Sequence, residues 1–278
     1  MSPLLIVAAL LWTAATAPER AAFVAPELPG SATVWAVGDA AADTPDARRL
    51  ARRIVGTRPD LFLYLGDVYP WGTAGDFRRR YEPLYGRLAR RTAPTPGNHD
   101  WPHARSGYFP YWRRKLGRPL PSYYAFTTAG WRVLALNSEL TGRPRRRQLA
   151  FVRRALPTRG DCALAFWHRP RYSAGVHGDA PDLEPLWRAV RGRARLVLNG
   201  HDHDLQRLRA RAGTTILIAG AGGHSRYPVD LRDRRVMFAS DDVAGALRLR
   251  LSAGRAEFAF VTAGGRVLDS GSMGCHRR

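Results

Sequence analysis

Lysine is almost missing from this chain of 278 residues: Lys115 stands alone, so 43 of the 44 basic residues are arginine. Acidic residues number 23, which leaves a formal net charge of +21. A surplus of that size ordinarily points to nucleic acid or an anionic surface. Here, however, the arginines run along the whole chain in pairs and triplets, such as Arg78-Arg79-Arg80 and Arg145-Arg146-Arg147. Such dispersal reads as a compositional bias over a solvated surface in preference to a nucleic-acid footprint. The basic field still attracts phosphorylated substrates at low salt, whether small or macromolecular.

Cysteine is nearly as scarce. Two thiols, Cys162 and Cys275, cannot build a four-cysteine zinc site or a disulfide-dense scaffold. Cys162 opens an expected strand and Cys275 lies near the end. One bridge between them would pin the C-terminal tail to the sheet; the alternative is two unpaired thiols. No run is apolar over the roughly 20 residues that a membrane helix needs. The run from Leu4 to Trp12, followed by Ala15-Thr16-Ala17, has the form of a secretory signal over residues 1–17. Export to the periplasm, the cell surface or the medium is therefore expected. Internal repeats and low-complexity linkers are absent. With 45% hydrophobic residues the rest suits one large globular domain, expected at 31–270 with a tail at 271–278.

Asparagine is the third rarity, and its three positions (Asn98, Asn137 and Asn199) each follow an expected strand. Ser31 to Val37 is β-leaning and ends at Gly38-Asp39. Thr44-Pro45 opens a helix that Gly56 closes, with Ala47, Leu50, Ala51, Ile54 and Val55 on one stripe. Leu61 to Leu65 is a continuous apolar strand ending at Gly66-Asp67. Thr73 to Arg91 reads as a second helix, with Pro83 marking a kink or a shorter element. A short run then reaches Gly97-Asn98-His99-Asp100. Trp101 to Pro121, aromatic and punctuated by Pro and Gly, reads as a long functional loop.

Tyr123 to Phe126 and Trp131 to Leu136 form a hairpin across Ala129-Gly130, and Arg143 to Leu156 is a helix. Ala163 to Trp167 is a buried strand ending at His168. After a helix through Leu183, Leu186, Trp187 and Val190, the strand Leu196 to Leu198 ends in Asn199-Gly200-His201-Asp202-His203. Beyond Thr214 only short strands follow: Thr215 to Ala219, Ala246 to Leu251, Ala256 to Val261 and Val267 to Asp269. Strand–helix–strand units followed by an antiparallel half give an α/β domain built on two packed sheets. Gly220-Ala221-Gly222-Gly223 lacks the lysine of a phosphate-binding loop and reads as a strand-end turn.

Polar residues thus punctuate five strand ends: Asp39, Asp67, Asn98-His99, His168 and His201-x-His203. Ligands of open α/β sheets bind outside the carboxyl ends of strands, where residues far apart in sequence converge. Each signal alone is weak, since a lone Gly-Asp is usually a turn and a lone His is usually structural. Their joint occurrence is specific. Two carboxylates, an amide oxygen and three imidazoles without thiolate suit Zn²⁺, iron, Mn²⁺ or a pair of them. A carboxylate shared by two metals holds them about 3.5–4 Å apart, close enough to clamp a phosphoryl group.

The order Gly38-Asp39, Gly66-Asp67, Gly97-Asn98-His99-Asp100, His168, Gly200-His201-Asp202-His203 resembles the calcineurin-like metallophosphoesterase superfamily. Asp67-Val68-Tyr69-Pro70, Gly107-Tyr108-Phe109 and Trp167-His168-Arg169-Pro170 look most like its purple-acid-phosphatase-like bacterial branch. The resemblance implies a four-layer αββα sandwich, two mixed sheets flanked by helices, with two metal ions (Fe, Zn or Mn). By that likeness Asp39 and His203 would bind one metal, Asn98, His168 and His201 the other, and Asp67 would bridge them. His99 would protonate the leaving alkoxide or act as a transition-state donor, and Asp100 would orient a neighbouring imidazole. Asn98 and His177 would touch substrate phosphate, with His103 and His224 as lesser candidates and His276 without a role.

Two positions depart from the pattern. Ala41 stands where many members carry a further histidine. Tyr69 comes one residue before the tyrosine that purple acid phosphatases give to the metal, and Pro70 occupies that place. Tyr69 would need a local shift to reach a cation. The implied activity is phosphate-ester hydrolysis, monoesters preferred, by in-line attack of a metal-bridging hydroxide. The basic charge motivates a phosphodiesterase or nuclease of the same fold as the alternative. Ala41 motivates a metal- or nucleic-acid-binding protein without turnover.

Overall fold

The computed structural model describes residues 28, 30–156 and 162–275; the expected signal at 1–17 and His276 lie outside them. The first half of the chain supplies strands β1 (Ser31–Val37), β2 (Leu61–Tyr64), β3 (Thr92–Pro94), β4 (Tyr124–Thr128), β5 (Trp131–Ala135) and β6 (Ala163–Phe166). The second half supplies β7 (Leu196–Asn199), β8 (Leu205–Arg211), β9 (Thr214–Ala219), β10 (Val236–Ser240), β11 (Gly245–Ser252), β12 (Arg255–Thr262) and β13 (Val267–Gly274). They build two mixed sheets, ordered β13-β12-β11-β1-β2-β3 and β10-β8-β9-β7-β6-β5-β4. In the first, β1, β2 and β3 run parallel; in the second, β5, β6, β7 and β9 do.

Residue alternation explains the layers. On β6, Leu164 and Phe166 join the core between the sheets, while Ala163 and Ala165 face a second core. That second core is closed by helices α5 (Gly142–Ala155) and α6 (Glu184–Val190) through Phe151, Val152, Leu186 and Trp187. Helix α1 (Pro45–Gly56) covers the other outer face with Leu50, Ala51 and Ile54, its N-terminus capped by the Thr44 hydroxyl. On β11, Leu247, Leu249 and Leu251 are buried while Arg248 and Arg250 are exposed. This is the one-wet-face pattern expected of that strand. The result is the four-layer αββα sandwich.

Two expected elements differ from the structure. Thr73 to Arg91 is four short pieces: α2 (Ala74–Asp76), a π turn (Phe77–Tyr81), α3 (Glu82–Tyr85) and a 3₁₀ segment (Gly86–Arg91). Pro83 sits in the first turn of α3, where its missing N–H costs nothing. Trp101 to Pro121 contains helix α4 (Tyr108–Leu116), closed by Gly117 at φ +71°. Tyr108, Tyr111 and Trp112 form its buried face, at i, i+3 and i+4. Tyr111 packs on Phe77 at 4.7 Å and Trp112 on Tyr81 at 5.4 Å between ring centres. Strands β8 and β10 were not expected, and β13 runs on to Gly274 where the sequence suggests an end at Asp269.

Cys162 and Cys275 form a disulfide that closes 113 residues. It ties the start of β6, near the centre of one sheet, to the end of the edge strand β13 of the other. At the opposite end of the strands the sheets are stitched by polar contacts. The Gly38 N–H donates to the Ala219 carbonyl at 2.8 Å, and the Thr95 hydroxyl donates to the Leu136 carbonyl. The carboxyl ends of β1, β2, β3, β6 and β7 therefore share one rim.

Candidate metal centre

Three of the candidate side chains on this rim sit just past a strand at a sharp reversal. Asp39, Asp67 and His201 all have left-handed backbones, at φ +59°, +66° and +74°. Residues with a Cβ avoid that region, so the fold must hold them there against strain. Glycines make room for the reversals. A Cβ on Gly97 would lie 1.9 Å from Asp67 Oδ1, and one on Gly200 would lie 2.9 Å from Asp39 Oδ2. Buried Asp100 fixes the base of the site, accepting the N–H groups of Asp67, Val68 and Gly97 at 2.9, 3.0 and 3.0 Å.

Six of the side chains form two groups that share Asp67. In the first, the Tyr69 hydroxyl lies 2.8 Å from Asp39 Oδ1, 2.8 Å from His203 Nε2 and 3.4 Å from Asp67 Oδ2. In the second, His168 Nε2 lies 3.0 Å from Asn98 Oδ1 and 3.2 Å from Asp67 Oδ2. The His201 ring stands 5.1 Å from that of His168, edge to face. Both histidines at the hearts of these groups are aimed by backbone carbonyls. His168 donates through Nδ1 to Leu65 O at 2.8 Å and His203 through Nδ1 to Ser225 O at 2.6 Å. Each Nε2 is thereby turned into the site.

An outer ring surrounds these groups. The His99 N–H donates to Asp67 Oδ1 at 3.0 Å, and its Nδ1 to Pro70 O at 2.7 Å, which leaves Nε2 4.0 Å from Asp67 Oδ2. His177 uses both its backbone N–H (3.0 Å) and its Nδ1 (2.9 Å) on Asp202 Oδ1. The His177 ring stacks on His201 at 4.1 Å, His224 on Tyr69 at 3.9 Å and Tyr227 on His203 at 4.2 Å. Together with Trp71 these residues enclose a cavity of about 210 Å³.

Residues 32–205 match the family model "Calcineurin-like phosphoesterase". The chain belongs to that family. Its fold is shared with several solved structures. One is the purple acid phosphatase PPD1 from yellow lupin (Lupinus luteus) seeds, at TM-score 0.71 and 16% identity, over 90% of this chain and 55% of that one. The chain thus spans about half the length of that enzyme. Another is GAP50, the anchor in the inner membrane complex of Plasmodium, at TM-score 0.71 and 16% identity over 90% of both chains. A third is PhoD, at TM-score 0.58 and 11% identity over 91% of this chain and 72% of that one. At these identities the likeness is one of fold. No curated protein shows significant sequence similarity to the chain.

The site fits a divalent cation by the chemistry of its donors. Ligand atoms of Asp39, Asp67 and His168, all buried, lie within 4.8 Å of one another. Two acceptors, Asn98 Oδ1 and Asp67 Oδ2, converge on His168 Nε2, and Asp67 Oδ2 receives besides only the longer contact of the Tyr69 hydroxyl among the hydrogen bonds of the described residues. Burial disfavours a charged imidazole there, yet the Asp67 and Asp39 carboxylates outweigh it and push His168 up to about 10. Burial likewise opposes a charged Asp39, but His203, His168 and the His201 N–H hold it well below the usual carboxylate range. His201 is pushed down to about 3 by burial and by the neighbouring His168 and His177. Burial and the adjacent Asp39 and Asp67 carboxylates raise the Tyr69 phenol far above its ordinary value. Without a cation, imidazolium protons balance the carboxylates.

Of the site residues expected from the sequence, Asp67, Tyr69, Asn98, His99, His177, His201, His203 and His224 line the cavity, Asp39, Asp100 and His168 are buried beside it through their contacts with Tyr69 and Asp67, and His103 does not line it. Tyr69, despite its shifted spacing, reaches Asp39, Asp67 and His203. Ala41 contributes no donor; it bridges to Val68 in a buried turn. The sequence reading gave no part to Asp202, Trp71 or Tyr227. Asp202 had a signal, being the residue between two expected histidine ligands. Tyr227 had none, because it arrives on a loop without a motif.

Proposed function

We propose that this phosphoesterase hydrolyses phosphate monoesters with two metal ions, one beside Asp39, Tyr69 and His203, the other beside Asn98, His168 and His201. The position of Asp67 carries the reading. Its carboxylate belongs to both groups, 3.4 Å from the Tyr69 hydroxyl and 3.2 Å from His168 Nε2. When bound, such cations polarise phosphoryl oxygens and acidify a water.

The chain's own residues supply the rest. His99, held through Nδ1 by the Pro70 carbonyl, presents Nε2–H to the leaving oxygen and protonates it. His177, held through Nδ1 by Asp202, offers its other nitrogen to a phosphoryl oxygen, and the Asn98 amide offers its N–H₂. A cavity of about 210 Å³ walled by imidazoles suits a dianionic phosphoryl group on a small leaving group better than a diester embedded in a polymer. The Cys162–Cys275 disulfide supports action outside the cytoplasm, by one domain over residues 31–270.

The test is hydrolysis of p-nitrophenyl phosphate beside bis(p-nitrophenyl) phosphate, with and without chelator. Faster turnover of the monoester, abolished by chelator, is expected. A preference for the diester would transfer the reading to phosphodiesterase chemistry, and turnover indifferent to chelator would end it.

A further inference from the structure

Trp71 is 59% exposed at the mouth of the cavity, where a large apolar ring has no packing role. Among the described residues its one ring neighbour is His99, with centres 6.0 Å apart and planes tilted by 34°. His99 Nε2 is in turn 4.0 Å from Asp67 Oδ2. Trp71 therefore begins one ring beyond His99, the residue given the leaving-group oxygen in the proposed reaction. The turn that bears it is fixed. Gly72 N–H closes on Val68 O at 2.7 Å, and Pro70 O holds the His99 ring at 2.7 Å. A second exposed apolar side chain, Val176 at 58%, stands beside His177. Elsewhere the cavity wall is ring upon ring, with Tyr69, His177, His224 and Tyr227.

We propose that Trp71 is a stacking platform for the leaving group, and that the preferred substrates are phosphate esters whose leaving group carries a planar aromatic ring. The proposal rests on the phosphomonoesterase reading of the same site and adds to it the class of substrate. An exposed indole face offers a flat π-system an offset-stacked contact, which adds about three- to tenfold in affinity beyond burial of the same area. A saturated ring of equal size buries as much surface but gains no such contact. The platform therefore selects for aromaticity and not for greasiness alone.

The experiment compares kcat/KM for benzyl phosphate and cyclohexylmethyl phosphate, two primary-alkyl esters that differ in the ring alone. It uses the full chain and its Trp71→Leu and Trp71→Phe variants. The native enzyme should favour benzyl phosphate about three- to tenfold. Trp71→Leu should bring the ratio to about one, while Trp71→Phe retains most of it. A parallel pair, adenosine 5′-monophosphate and ribose 5-phosphate, locates the ring. A ratio that collapses in Trp71→Leu assigns it to a nucleobase, and a ratio that does not assigns it to an aryl group next to the ester carbon. Equal turnover of benzyl and cyclohexylmethyl phosphate by the native enzyme, or a ratio unmoved in Trp71→Leu, overturns the platform and leaves the phosphomonoesterase reading standing. If the native enzyme hydrolyses neither these four esters nor p-nitrophenyl phosphate, both fall.

Discussion

The Tyr69 hydroxyl donates to Asp39 Oδ1 at 2.8 Å and stands equally close, 2.8 Å, to His203 Nε2. Three side chains from three separate turns thus meet at one oxygen. Burial and the carboxylates keep that phenol protonated in the metal-free protein. A cation in the group would reverse the balance, because a hard phenolate oxygen is stabilised by the same charge that stabilises the carboxylates.

Tyr69→Phe should accordingly keep the ring stacked on His224 while removing one donor from the first metal group. Metal bound there should weaken by about tenfold or more, and turnover should fall with it. Titration of metal into the native and Tyr69→Phe proteins checks this; equal affinities would remove Tyr69 from the ligand set.

For His99 the informative variable is the leaving group. p-Nitrophenolate departs without a proton, whereas an alkoxide does not. His99→Ala should therefore lower kcat for an alkyl phosphate by about 10²–10⁴, but cost much less with p-nitrophenyl phosphate. A uniform loss on both esters would make His99 a binding group instead of the acid.

Asp202 is fully buried between His201 and His203, and its Oδ1 takes both the N–H and the Nδ1 of His177. Asp202→Asn keeps an oxygen in that place, and Asp202→Ala does not. KM for a phosphomonoester and the inhibition constant of inorganic phosphate should rise about tenfold in Asp202→Ala, as when other oriented imidazoles lose their partner. In Asp202→Asn both constants should stay near native. Were the alanine variant to change kcat alone, His177 would not be the phosphate contact.

Metal binding should release protons. His168 is held up at about 10 in the metal-free chain, above its ordinary 6.5, so at neutral pH its Nε2 carries a proton that a cation must displace. Between pH 6 and 8 the apparent metal affinity should rise by about tenfold per pH unit for each proton released. The same raised value stabilises the metal-free fold. That contribution is complete below 6.5 and disappears as pH climbs through about 10. Calorimetric titration in buffers of different ionisation enthalpy counts the protons. A pH-independent affinity would mean that His168 is not a ligand.

Much of this centre was legible because Asp39, Asp67, Asn98 and His201 each follow a glycine just past an apolar strand. Gly38-Asp39, Gly66-Asp67 and Gly200-His201 report backbone reversals that only small residues permit. Helix α4 was hidden because Tyr108, Tyr111 and Trp112 lie among prolines and glycines that mimic a loop, and its stripe shows only once the aromatic partners Phe77 and Tyr81 are in place. Strand β8 was obscured by Arg207, Arg209 and Arg211, which alternate with its buried positions at one end only. Tyr69 could not be settled by counting residues, since its reach depends on the path of the turn. Tyr227 and Ser225 enter from a segment whose sequence carries no spacing rule at all.

Counting the metal ions in purified full-length chain and in its Asp67→Asn variant, alongside phosphomonoester turnover, tests the shared carboxylate most directly. Two ions per native chain are predicted, with at most one in Asp67→Asn and turnover lost together with the second. Undiminished metal content and turnover in Asp67→Asn would contradict a centre built around Asp67.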